Sequence, residues 1–591
     1  MKRRLENMQK ALPGEELLKK PISRKSFVAG VGATSFGLLL AACGGDDEEA
    51  APAPPPAETE AAPPPPTETG AAPPPPKGEG APLKEGLAEG MYGGPIGFEG
   101  AERYQYPFDS EEGRAIAALR KLRQDGNAPD TLIVQVLDGA EGHLTVGFPE
   151  GAPSLMQIFE EETGIKIKTV LTTPGTNYTD NLQNLSTKNG SFDVVQTAIT
   201  DTGDMAEGGL IRDLDEFVDK YQPSWTDPTY GYEGGEQVAK LFNSYNGKWY
   251  TVAFDNDTQP YAYRADLMES PEEQAAFEDK YGRPLEFPKT WDDFKEVAEF
   301  FTRPDADIPL YGDVSLKSPF WGIVNWQQRF VSQANPNMYF FNEDGSSNIA
   351  NEAGYLAAAE HVEALKWSDP KALTKIWIDM YAILGAGSGF MGNGFPNVTK
   401  ILPGNPDLDT GGFGKVLRTE LTPGRLIDGN YVRRPVIFFN IAWGVNGFAD
   451  PARHEAAYLF AQWAGGARLF TWLTQNPAGF MDPHHTYSFS DPGVIGGYEP
   501  GQGGYKPEGT ATLKRIIPYT APPITLRGAA EYTNALDLEL QKALSGQKSP
   551  QAAIDDASKQ WDEITERIGA DKQSAALKGN LAVWPTAVDP A

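Results

Sequence analysis

The 591 residues carry 81 Asp/Glu against 51 Lys/Arg, a net charge of −30. A surface of that sign repels phosphate backbones and anionic lipid headgroups, which argues against nucleic-acid binding. The chain is long enough to bury a large core, and its single cysteine excludes an internal disulfide framework.

Residues 1–42 read as an export signal. Arg24 and Lys25 form a basic flank, and an apolar run rich in Gly and Ala extends from Val28 to Leu40. That run reaches only about 20 Å as a helix, short of the roughly 30 Å of hydrocarbon in a bilayer, so removal is expected rather than retention as a span. Leu40-Ala41-Ala42-Cys43 resembles the bacterial lipobox, in which the thiol receives a lipid and becomes the new N-terminus. The stretch Ser23-Arg24-Lys25-Ser26-Phe27 resembles a twin-arginine export motif with Lys at the second arginine, which leaves the export route open. With residues 1–42 removed, 43 basic and 78 acidic residues remain, a net charge of −35.

Residues 43–82 are Pro, Ala, Thr and Glu in a loose ten-residue repeat. Such a composition buries no surface and favours extended polyproline II, so a tether is expected. Residues 83–129 form an N-terminal extension with no functional reading, in which Glu112 to Gln124 has helical spacing. From Asp130 the pattern turns to alternating strands and helices. TLIVQVL (131–137) has the apolar, β-branched run of a buried parallel strand, and Ser154 is placed to cap a helix through Leu155, Ile158 and Phe159 that Gly164 closes. IKIKTVL (165–171) alternates as a strand; a helix through Tyr178, Leu182 and Leu185 and the strand FDVVQT (192–197) follow. Strands separated by helices and short links predict an α/β class with a parallel sheet covered on both faces. Ligands of such sheets gather at the carboxyl ends of strands, here the loops holding Asp138 and Asp201.

At this point the chain resembles the extracellular solute-binding proteins, family 1, the sugar-type receptors of ABC importers. The likeness runs through residues 159–217, GKWYTVAFDNDTQPYAYRADLM (247–268), PKTWDDFKEVAEFFT (288–302), AWGVNGFADPARHEAAYLFAQWAGG (442–466) and LSGQKSPQAAIDDASKQWDEI (544–564). It implies a two-lobe type II periplasmic-binding-protein fold with hinge-crossing strands. The expected crossings lie near Phe254, Gly385 to Met391 and Phe438 to Trp443. Residues 130–254 and 392–437 would then form lobe 1, residues 255–391 and 438–525 lobe 2, and residues 526–591 C-terminal helices.

Sugar recognition needs flat apolar faces and paired hydrogen-bonding groups, which Trp with Asp and Asn provide. The expected contacts are Asp138 and Asp201 from the first lobe, Asp255 and Asn256 near the hinge, and Trp321, Trp326, Asn440 and Trp443 from the second lobe and last crossing. Trp291 and Trp561, at amphipathic helical spacing, are assigned to the core. Asp255-Asn256-Asp257 could bind a hard cation, but it lacks the glycine and distal glutamate of an EF-hand, so hydroxyl binding is favoured and no metal is assigned. GSGFMG (387–392) matches a dinucleotide pattern, but Pro396, Pro403 and Pro406 interrupt the helix it would require. His484-His485 are adjacent and point in different directions on a regular element.

The reading is therefore a lipid-anchored, exported, monomeric receptor on the outer face of the cytoplasmic membrane. It captures a sugar, oligosaccharide or polyol by lobe closure, hands it to an ABC permease, and has no catalytic residues or cofactor. The alternatives are a binder of glycerol phosphate or another anion, using Arg433-Arg434, a secreted carbohydrate-active enzyme, or a sensory component on the same fold.

Overall fold

The computed structural model describes residues 84–591 apart from 139, 173–175, 335–337, 477–479, 496–506, 584–588 and 591. Cys43 and the stretches expected to be an export signal and a tether lie outside the described residues. In chain order the elements that position the site are α1 (Glu111–Gln124), β1 (Thr131–Leu137), α2 (Leu155–Thr163), β2 (Lys166–Thr172), α3 (Asn177–Thr187) and β3 (Val194–Ala198). They are followed by β4 (Thr251–Ala253), β5 (Tyr261–Arg264), β6 (Tyr311–Asp313), α4 (Ile323–Val331), β7 (Gly389–Asn393), α5 (Val398–Gly404) and β8 (Leu417–Glu420). Last come β9 (Ile441–Val445), α6 (Pro451–Ala464), α7 (Ala467–Thr474), α8 (Ala529–Leu544), α9 (Pro550–Ile568) and α10 (Ala570–Leu581).

Local signals set the first lobe. Ser154 caps α2 in a reciprocal pair with Gln157, and Gly164 closes the helix at φ 70°, a left-handed conformation that glycine takes without strain. β1 pairs in parallel with β2 and β3, and β9 and β4 extend this sheet antiparallel, giving the order β2-β1-β3-β9-β4. The second sheet has the order β8-β5-β7-β6. Each sheet carries its own core. Val134, Val194, Trp443 and Phe460 belong to the first, and Trp321, Trp326, Phe330, Leu417 and Trp561 to the second.

This pairing corrects the expected lobe boundaries. Residues 398–420, with β8 bonded to β5, belong to the second sheet and core, and residues 441–474, with β9 bonded to β3, to the first, so the expected assignments of 392–437 to lobe 1 and 438–525 to lobe 2 fail over these stretches. No crossing occurs at residues 385–391, because β7 is an inner strand of the second sheet, held by β5 and β6. Local composition is the same for an inner strand of either sheet; distant partners decide which sheet it joins.

The lobes are joined by three segments lying side by side. Phe254 donates its backbone N–H to Ile441, Gln259 donates to Val436, and Ala521 donates to Pro435. The Thr258 and Thr520 hydroxyls meet at 3.3 Å. After this third passage α8, α9 and α10 pack on the second core through Leu536, Trp561 and Leu577.

The extension is part of the first lobe. α1 lies against α6, and Glu111 accepts from the backbone N–H groups of Ser224 (2.8 Å) and Ala467 (3.0 Å) while Glu112 accepts from Arg468 (2.9 Å). Two consecutive glutamates thus satisfy free donors at the start of α7. Tyr106 bonds Glu162 of α2 and accepts from the Trp463 indole of α6 at 2.8 Å.

Candidate functional site

The hinge segment after β4 buries three polar residues in succession. Asp255 accepts from the backbone N–H groups of Asn256 (2.8 Å) and Asp482 (2.7 Å). The Asn256 amide donates to the Pro483 carbonyl at 2.9 Å and accepts from the Thr258 N–H at 3.2 Å, so its side chain fastens the hinge to the 480s segment. Oxygens of Asp255, Asp257 and Asp482 all lie within 4.8 Å of one another, and all three residues are buried. Of their six oxygens, Asp255 Oδ1 already accepts two backbone N–H groups and Asp482 Oδ2 accepts from the Asn397 amide.

Crowding and burial govern the protonation of this group. Burial pushes the Asp255 carboxyl up to about 7, against the two backbone N–H bonds and Lys400, which pull it down. Asp257 is raised well above the usual range by burial and by the charges of Asp255 and Asp482. Lys400, fully buried, is pushed down to about 8 by burial, against the pull of Asp482 and Asp255.

These shifts have a checkable sign. A carboxyl raised on folding contributes stability that is fully present below the unfolded value near 4 and lost as pH rises through about 7. Asp255→Asn keeps an oxygen for both backbone donors but does not ionise. Its stability relative to the parent is therefore expected to rise between pH 5 and pH 8, read as the difference in urea midpoints. A constant difference contradicts the assignment.

Beside the hinge runs a seam of aromatic rings. Trp321 lies edge-on to Phe320 (5.1 Å) and Phe395 (6.3 Å) and 5.8 Å from Phe438, and Phe395 meets Trp377 edge-on at 6.2 Å. Phe320, Trp377, Phe439 and Phe480 are half-buried, leaving part of each ring accessible. Phe439 and Phe480 pack against both cores and so sit where the lobes meet. Phe320 and Phe439 hold φ of 69° and 74°, conformations that a bulky L-residue adopts at a cost of about 1–3 kcal/mol and that persist only where surroundings over-determine them. At Phe320 the buried Asp537 supplies part of that hold, accepting the backbone N–H at 2.7 Å. On the first lobe His143 stands edge-on to Phe480 at 5.2 Å, and burial pushes it down to about 3, leaving it neutral.

The structure distributes the expected residues unevenly. Asp138, half-buried, follows β1, and Asp201 follows β3 in a buried position where burial and Asp204 push it up to about 7. Asn440 is buried, its backbone carbonyl accepts from Ile199, and its Oδ1 has no partner among the described residues; the hydroxyl of Thr202, next to Asp201, is likewise unpartnered. Trp321 belongs to the seam. Two expectations are overturned. Trp326 is fully buried, stacked on Phe330 at 4.9 Å and donating to the Gly354 carbonyl at 3.3 Å, and Trp443 is fully buried between Phe254 (4.8 Å) and Phe460 (6.0 Å). With their faces covered by protein, neither ring is available for a ligand to stack on. Sequence reasoning missed Phe320, Trp377, Phe395, Phe439 and Phe480, because aromatic type alone does not separate cleft from core.

Phe439 and Phe480 thus bring flat faces to the meeting of the two lobes, next to the unpartnered Oδ1 of Asn440. Residues 144–467, more than half of the chain, match the sequence model of the family described as bacterial extracellular solute-binding protein. No curated protein matches the chain. Among solved structures, an ABC transporter solute-binding protein from Agrobacterium radiobacter K84 in complex with ribitol is similar at 17% identity. The match covers 73% of this chain and 98% of that one, with a TM-score of 0.58. Maltose-bound MalE3 of T. maritima is similar at 15% identity, 73% and 99% coverage and a TM-score of 0.56. A solute-binding protein from Agrobacterium vitis S4 with bound D-mannitol is similar at 16% identity, 74% and 99% coverage and a TM-score of 0.54. At these identities the likeness establishes the fold.

Proposed function

Because the chain belongs to the bacterial extracellular solute-binding protein family, we propose that it is the lipid-anchored receptor of an ABC importer and captures a neutral carbohydrate, a polyol or a sugar, between its two lobes. The observation that carries this reading is the half-buried aromatic seam of Phe320, Trp377, Phe439 and Phe480, with the unpartnered Oδ1 of Asn440 on the residue that follows Phe439. Rings stack on the C–H faces of a sugar, and acceptors take its hydroxyl protons. Solved proteins of the same fold hold ribitol, maltose and D-mannitol.

An anionic solute is less well supported. Arg433 donates to the carbonyls of Thr422 and Leu421 and pairs with Glu420 at 3.4 Å, so its guanidinium is already engaged. Lobe closure on the solute makes and breaks no covalent bond; contacts from both lobes stabilise the closed form that a permease would read. Cys43 would carry the lipid, with residues 44–82 as the tether, and Cys43→Ala is expected to move the protein from the membrane pellet to the soluble fraction.

The solute class is tested by thermal shift against polyols, mono- and oligosaccharides, glycerol phosphates, amino acids and divalent ions. A solute at 100 times its Kd adds about 2.7 kcal/mol of stability, a visible rise in Tm. Stabilisation by a neutral carbohydrate is expected; stabilisation by phosphates or cations alone would overturn that solute class.

A further inference from the structure

Besides the three hinge segments and the bonds of Asp204 to Gly528 and of Asn246 to Asn580, one short helix ties the second lobe to the first. α5 belongs to the second lobe, where Val398, Ile401 and Leu402 enter the second core. At its start the buried Asn397 amide donates to the carbonyl of Phe480 (2.6 Å) and to Asp482 (3.0 Å), and its oxygen accepts from the Tyr381 hydroxyl (2.7 Å). One turn on, the fully buried Lys400 ammonium donates to the carbonyls of Thr474 (3.1 Å) and Met481 (3.0 Å). Thr474 ends α7 of the first lobe, and Leu473 and Met481 lie in the first core. The acceptors are thus first-lobe groups, and the donors second-lobe groups.

Lysine is rarely taken fully out of water, and then only where its charge and donors are matched. Here the Asp482 and Asp255 charges act on Lys400 from the first lobe and the hinge. His143 also faces it and is held neutral by burial. Separating the lobes at this point would strip an ammonium of two carbonyls and an amide of two acceptors. All of these bonds run between groups of the protein itself.

We propose that Asn397 and Lys400 form an interlobe latch on Thr474, Phe480, Met481 and Asp482 that keeps a large fraction of the unliganded protein closed. This goes beyond the carbohydrate reading and is independent of which solute is bound. Its functional consequence is that entry of solute waits on latch opening, so the latch sets the association rate as well as the closed population.

The test is a distance measurement between spin labels on the two lobes, at Lys168→Cys and Lys366→Cys in a full chain carrying Cys43→Ser, with no solute added. The parent should show a predominantly short interlobe distance. Lys400→Met keeps the apolar stem and removes the ammonium, and Asn397→Ala removes the amide; each should lower the closed-to-open ratio about tenfold or more. Circular dichroism establishes that the variants are folded, and if Lys400→Met is not, Asn397→Ala alone decides. An unchanged distance distribution in the folded variants would overturn the proposal and make these residues fixed hinge packing. A role confined to solute contact would also leave the solute-free distribution unmoved.

Discussion

Trp443→Ala is expected to cost about 3–5 kcal/mol of unfolding free energy, the range for truncating a buried tryptophan. The ring lies on an inner strand of the first sheet, between β3 and β4, fully buried with Phe254 and Phe460 against it. Removing it leaves a cavity that these neighbours only partly fill. The indole Nε1 has no partner among the described residues, so Trp443→Phe loses no hydrogen bond and is expected to cost much less than the alanine change. Chemical denaturation of the three proteins checks both statements. If Trp443→Ala kept full stability but abolished solute binding, the ring would be a ligand platform and its placement in the core would be wrong.

Phe320→Ala should instead act on binding. The ring is half-buried, packed on the margin of the second core 4.9 Å from Phe438, so its removal opens less of the core than loss of a fully buried ring. Loss of an aromatic anchor costs about 2 kcal/mol or more, roughly 30-fold in Kd. The backbone supplies a second, separable effect. Alanine at φ 69° keeps the left-handed strain, whereas glycine relieves it, so Phe320→Gly is expected to be more stable than Phe320→Ala by about 1 kcal/mol while binding equally poorly. Calorimetric titration and urea melts of both variants separate the effects. Equal affinity in Phe320→Ala and the parent would remove the seam from the binding site.

Much of the first lobe was legible in the sequence because its signals are local. Ser154 and Gly164 bound α2 as their chemistry predicts, and TLIVQVL forms β1 from its first residue to its last. Trp291 and Trp561 are buried, as their helical spacing implied. Trp326 carried the same kind of signal, since Phe330 lies one turn further along α4 and stacks on it. Other features have no local signature. Asp255 and Asp482 are 227 residues apart in the chain yet share a hydrogen bond. The strained backbones of Phe320 and Phe439 arise from tertiary packing, and nothing in their neighbouring residues announces them. Sheet membership of β7, β8 and β9 follows from long-range pairing, and this is where the expected lobe boundaries failed.

The capture of an unaltered neutral carbohydrate is tested most directly by titrating ribitol, D-mannitol and maltose into the purified protein in a calorimeter and then analysing the recovered carbohydrate. The account predicts a saturable one-to-one heat with at least one of these or a related neutral carbohydrate, and recovery of that carbohydrate chemically unchanged. Appearance of a cleaved or modified product, or binding confined to charged solutes, would contradict it.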